Sequence, residues 1–443
     1  MTNNSNDARA AFIRASVWHG SLDAARANLA EHPELAECDI YTAALLGDDA
    51  AVCRYLAADR GLAVAKAPPL NWDALTHLCF SRFFRLEPER SDGFIRAAVA
   101  LLDAGASART GFFDETHRPE PDFESVLYAA AGVAHHAGMT QLLIDRGADP
   151  NEGEVVYHSP ETDDNAALRV LVETGQLTPD SLATMLLRKA DWHDLEGIRY
   201  LLERNADPNF ITGWGFTALH QALRRDNSLS IVEAMLDYGA SPLLKNRNDH
   251  RTGTAIAAGR GRGDVLNLFV QRGITVDLDG VDRLISACAQ DDDEAIGLIV
   301  KGLPELVGEL LAAGGAVLAV FAGNGNTAGA ARLLDLGVPV DARFVEGDGY
   351  FDVAPNSTAL HVAAWRAQHQ TVSFLIERRA DLDVLDGKGR SALMLAVKAC
   401  VDSYWMETRA PDSVKALLEA GASAEGIVVP CGYEAVDTLL RDA

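Results

Sequence analysis

Residues 213–241 read GWGFTALHQALRRDNSLSIVEAMLDYGAS. Two short helical periods flank a small polar turn. Over residues 217–223, Leu219, Ala222 and Leu223 are the apolar positions, and over residues 231–236 they are Ile231, Val232, Met235 and Leu236. Both patterns fit a helix with one apolar face. Gly239 then closes the second helix, where a left-handed residue fits without a Cβ penalty. A single pair of helices this short cannot bury both of its apolar faces. It needs a similar unit on each side, so the stretch predicts a repeat.

The rest of the chain supplies the copies. The end of the second helix recurs at His32, Gly61, Gly105, Gly147, Gly175, Asn205, Gly239, Gly273, Gly302, Gly337, Arg379 and Gly421. The first and last of these lie 389 residues apart over eleven steps, or about 35 each. A fixed period of this size marks a repeat array.

Through Gly215-Phe-Thr217-Ala-Leu219-His220 and Leu236-Asp-Tyr-Gly239-Ala240 the stretch resembles the ankyrin repeat, whose period is about 33 residues. The best copies are 184–209, 213–241 and 357–383, and the resemblance runs over almost the whole chain. It implies an all-α ankyrin-repeat solenoid of about twelve helix-turn-helix units with short finger loops. Residues 1–443 would form a single array, with 424–443 as a C-terminal cap. The pattern is degenerate. Only Leu219-His220 and Leu360-His361 keep the Leu-His pair, no Pro follows Thr217 or Thr358, and the unit ending at Gly175 has a short first helix. In the family, His220 and His361 would bond backbone of the neighbouring unit. The irregular stretches 84–93, 110–124, 346–356 and 401–412 are read as insertions in turns and connections. Loops on one face of an array often carry binding contacts.

The chain has 443 residues and a formal charge of −25. About half of it is apolar, which excludes a disordered chain. The acidic balance argues against a nucleic-acid partner, because phosphate recognition needs a basic footprint. No signal core and no bilayer-length apolar stretch is read, so no membrane is expected and the location is taken as cytoplasmic. Six scattered cysteines without a CxxC pair are read as reduced core residues. The protein is expected to be a monomer.

Few residues suggest chemistry. His135, His136, His158 and His193 fall near turns of consecutive units, with Asp191 and Asp194 beside them. Their convergence would make a metal or catalytic site. No His-x-x-x-His or Glu-x-x-His pattern sets two ligands on one face, so no catalytic residue, metal or cofactor is assigned. Asp291–Glu294 suits a helix start, where carboxylates cap free N–H groups, better than a calcium loop. The run Gly259–Gly263 lacks the strand and Lys-Ser/Thr ending of a phosphate loop.

The family frame puts a different set on the exposed side of the first helices and fingers: Trp192, Trp214, Phe216, Arg224, Arg225, Arg247, Arg251, Arg260 and Trp365. Trp and Arg dominate binding hot spots. The expected function is therefore non-catalytic binding of a partner protein in a concave groove, with these residues as anchors and an acidic or C-terminal segment as ligand. Two alternatives stand beside it. One is an enzyme or small-molecule site around the four histidines. The other is an acidic scaffold or immunity-type neutraliser of a basic partner.

Overall fold

The computed structural model describes residues 3–442. It is 58% helix and 4% strand. The unit of construction is a pair of short helices, and local signals set both ends of the second one. A polar residue in the inter-helix turn caps its start. Asp48, Asp194, Asp292 and Asn326 each accept the N–H three residues on, which satisfies one of the donors a helix leaves unpaired. Its end is a left-handed residue at Gly105, Gly147, Gly239, Gly273, Gly337 and Gly421, and also at Asn205 and Arg379. His32 and Leu303 end their helices outside the left-handed region instead (φ −128° and −138°). Each precedes a proline, whose ring disfavours the helical conformation in the residue before it.

The chain forms two compact units. The first comprises the chain up to Ala218 together with Asp237–Gly239, and the second Leu219–Leu236 together with residues from Ala240 onward. In each, first helices pack on first helices and second on second. In the first unit Ile40–Leu46 lies against Ala74–Cys79, and Asp49–Ala58 against Ser91–Ala104. In the second, Gly253–Gly259, Gly280–Ala289, Glu305–Gly323, Ala359–Trp365 and Ala392–Val401 contact one another in succession. Small residues allow this approach. A Cβ on Gly263 would sit 1.9 Å from the Ala289 carbonyl oxygen. The family histidines have the role expected of them: His220 Nε2 bonds the Leu244 carbonyl at 2.9 Å, and His361 Nε2 the Arg390 carbonyl at 3.0 Å.

Several expectations need correction. The insertion 110–124 is not a plain loop. It contains an antiparallel hairpin, β1 (Gly111–Asp114) and β2 (Asp122–Ser125), with Phe113 opposite Phe123. One helix, Glu305–Gly323, has the length and apolar composition to cross a bilayer, which the sequence reading had denied. Half of it is buried, and added Cβ atoms on Gly314 and Gly315 would strike Val338 and Arg343, as suits a core helix. Of the cysteines read as core, Cys53 is exposed and Cys38 and Cys431 are half-buried. Within 424–443, expected to be a cap, lies a helix, Glu434–Asp442, with Val436 buried; residue 443 lies outside the described residues.

Candidate interaction surface

In the first unit, the finger turn 212–216 is closed by Thr212 and Phe216, whose N–H and C=O pair at 3.0 Å, with Gly215 in a positive-φ conformation. The turn lifts Trp214 to its tip, 48% exposed, while Phe216 is half-buried. Trp192, the residue that ends the helix Pro179–Asp191, is 44% exposed. The Trp214 ring packs on Tyr157 at 5.4 Å, and the Arg188 guanidinium lies over Tyr157 at 3.9 Å. From Tyr157 the aromatic contacts continue to His158, Tyr128, Trp18, Phe112 and Trp72. Phe112, from β1, stacks on Trp72 at 4.1 Å and meets Phe80 edge-on at 5.1 Å. The inserted hairpin thus covers one end of this row, and the half-exposed Trp214 stands at the other.

The histidines hold separate posts. His136 caps the helix Ala137–Asp145 by accepting from Met139 N–H at 3.0 Å, and its other nitrogen bonds the Ser91 hydroxyl. His158 lies between Glu154 and Glu161, at 3.1 and 2.9 Å. Burial works against its charge, but the two carboxylates prevail and raise its pKa to about 9. His135 and His193 occupy left-handed turn positions. Burial is the main force lowering the pKa of His135. Among the described residues no group of three or more His, Cys, Asp or Glu is arranged to hold a metal ion. Beside His158 stands Glu124 of β2, 5% exposed, with one carboxyl oxygen lacking any hydrogen bond. Burial, then the nearby Glu154, Asp114 and Glu152, push its pKa up to about 8.

The second unit contradicts the expectation that its Arg and Trp side chains stand free. Trp365 is 3% exposed, and its indole N–H donates to the Phe351 carbonyl at 2.6 Å. Arg260 is clasped by Asp226, with Nε at 2.8 Å from Oδ1 and Nη2 on Oδ2, and it reaches Asp348 at 3.3 Å. Arg366 joins the same Asp226 carboxylate at 2.7 Å. Arg225 lies over the Tyr350 ring at 3.6 Å. Arg251 bonds Asp282 at 2.9 Å, and Arg224 bonds Gln221 at 3.1 Å. Of this set, Arg247 alone has the exposure that was expected. The physical reason is the insertion 346–356. It supplies Asp348 to Arg260, Tyr350 to Arg225 and Phe351 to Arg260, Arg366 and Trp365, while Asp226, Asp282 and Gln221 of the repeats hold the rest.

Asp226 is the residue the sequence reading passed over. Its side chain is 1% exposed. Burial would raise its pKa, but Arg260 and Arg366 outweigh that and hold it down to about 2. A sequence signal for it existed. Asp226 has φ 53° and fills the left-handed turn slot held by Gly261 and Gly325 in other units, so a glycine position carries a carboxylate.

Residues 186–279 and 284–425, together more than half of the chain, match the family model described as ankyrin repeats (3 copies). Among solved structures, the crystal structure of the human ASB11 ankyrin repeat domain is similar at 20% identity, covering 68% of this chain and 99% of that one, with a TM-score of 0.25. No curated protein matches. With its helix pairs, turn chemistry and bridging histidines, this chain belongs to the ankyrin repeat family.

Proposed function

We propose that this chain is a non-catalytic binding module for another protein, and that it grips its partner at the Trp214 end of the aromatic row in the first unit. Ankyrin repeats are generally protein–protein interaction modules and generally non-catalytic. The observation that carries the reading is the pair of large exposed aromatics, Trp192 and Trp214, the latter backed by Tyr157 and Arg188. A rigid, half-exposed indole on an aromatic base is the anchor type that dominates interface energetics. Burying the open half of Trp214 removes apolar surface at roughly 25 cal/mol per Å², and few rotamers are lost because the ring is already packed.

The test compares wild type with Trp214→Ala as bait in affinity purification, with thermal unfolding in parallel. The reading expects captured proteins to drop out while melting changes little. Unchanged capture would overturn it. A lowered melting temperature together with lost capture would show instead that Trp214 is a packing residue. Capture that survives Trp214→Ala but collapses with added salt would favour the rival reading, in which the acidic exterior holds a basic partner.

A further inference from the structure

The second unit carries a face that is already occupied, and the occupant is part of this chain. Residues 346–352 read Glu-Gly-Asp-Gly-Tyr-Phe-Asp. The segment is a closed turn in its own right, because Asp348 and Val353 exchange two backbone hydrogen bonds of 2.9 Å. Gly347 has φ 69°, and a Cβ there would strike the Val353 carbonyl oxygen. The turn meets the repeats mainly through side chains. Asp348 faces Arg260 at 3.3 Å. Tyr350 lies under Arg225, and Phe351 under both Arg260 at 5.0 Å and Arg366 at 4.3 Å. Asp352 is held by Lys388 at 2.6 Å and Lys398 at 2.8 Å. The acids of the segment thus face cations and its rings face guanidinium planes, the two pairings that Arg-rich recognition surfaces use.

We propose that the face formed by Arg225, Arg260, Arg366, Lys388 and Lys398 is a receptor for an acidic peptide with adjacent aromatic residues, and that residues 346–352 occupy it in cis. Trp214 plays no part in this inference. Three features favour an occupant over a fixed part of the core. The turn closes on itself through the Asp348–Val353 pair, its acids and Tyr350 are held by ion pairs and cation–π contacts while the buried Phe351 ring anchors it against Trp365, and Asp348, Tyr350 and Asp352 keep 25%, 37% and 35% exposure. Charge complementarity sets the ligand class. In a chain of net charge −25, five cations around one buried carboxylate, Asp226, leave this face net positive, which selects a partner segment that is acidic, and the Arg faces select rings. A tethered segment acts at an effective concentration on the order of millimolar, so a peptide in trans competes poorly until the tether is displaced.

The experiment uses the full chain with residues 346–353 replaced by a Gly/Ser linker of equal length. The probe is a fluorescein-labelled peptide of the sequence 345–354, and binding is read by fluorescence anisotropy. The replaced protein is expected to bind the probe at least tenfold tighter than wild type, and to lose it in 500 mM salt or with Arg225→Glu and Lys398→Glu. A folded replacement that binds no better than wild type overturns the proposal. So does equal binding of a probe in which both rings are changed to alanine. If the replacement fails to fold, Asp348→Ala with Phe351→Ala in the intact chain weakens the cis contact instead. No gain in probe binding there also overturns it.

Discussion

The carboxylate of Asp226 serves two guanidinium groups in a nearly closed environment, so its neutralisation is the most informative single change in the second unit. Asp226→Asn keeps the size and one acceptor oxygen but removes the charge. Arg260 retains Asp348 at 3.3 Å and the Phe351 face. Arg366 fares worse. Its side chain is 7% exposed, its Nε has no hydrogen-bond partner, and without the carboxylate it keeps ring contacts with Phe351 and Trp405 and the charge of Asp348, which does not hydrogen-bond it among the described residues. Breaking a buried ion pair by removing one partner costs about 3–5 kcal/mol. Each remaining cation–π contact returns at most about 2 kcal/mol, and both existed before the change. A loss of about 3 kcal/mol is therefore expected, the low end because Asn still accepts a hydrogen bond. Urea unfolding followed by circular dichroism measures it. Hydrogen exchange in 253–259 and 359–365, the helices that carry the two arginines to the site, places it in the second unit. Adding Arg366→Met should recover about 1–3 kcal/mol, because it removes the cation left stranded. The sign with pH follows. A folded pKa of about 2 lies below the ordinary 3.8, so this contribution is whole above about pH 4 and is lost as the pH falls through 2. The variant lacks that acid limb. A loss below about 1 kcal/mol with unchanged exchange would refute the reasoning, because it would mean that water or other groups already compensate both arginines.

Two further outcomes follow from the structure. His158 has its pKa raised from 6.5 to about 9, so its contribution to the first unit is complete below pH 6.5 and lost as the pH rises through 9. Glu124 is raised from 4.5 to about 8, so keeping it buried costs more as the pH climbs between those values. Urea midpoints should fall from pH 6.5 to 9, and His158→Gln should flatten that limb; an unchanged slope would contradict the His158–Glu154–Glu161 clamp. Gly263→Ala places a methyl 1.9 Å from a backbone oxygen, whereas Gly421→Ala, at φ 93°, meets nothing within 4 Å. The first should cost about 3 kcal/mol by overpacking and the second about 1 kcal/mol of backbone strain, so equal melting temperatures for the pair would refute the account of close helix approach.

Much of the fold was legible because its signals are local. Leu219, Ala222 and Leu223 fall on one face through i, i+3 and i+4 spacing alone, and the turn residues cap the next helix over three positions. His220 and His361 were placed correctly because their partner lies one unit on. The candidate site was only half legible. Trp192 and Trp214 are as open as expected. Trp365 and Arg260 looked equivalent in sequence, and they are covered. No pattern around either residue distinguishes them from an exposed pair, since what covers them comes from elsewhere in the chain.

The amino-acid sequence by itself therefore determined the repeat, its helices and where the chain turns, because each depends on interactions spanning a few residues. The tertiary structure decided which arginines and tryptophans meet solvent. Arg260 finds Asp348 across 88 residues and Arg366 finds Asp226 across 140. The Arg366–Asp226 pair exists only after successive repeats stack, and the Arg260–Asp348 pair only after the insertion folds against them. Charge interactions depend on distance in space, and no local period records which distant carboxylate a guanidinium will meet.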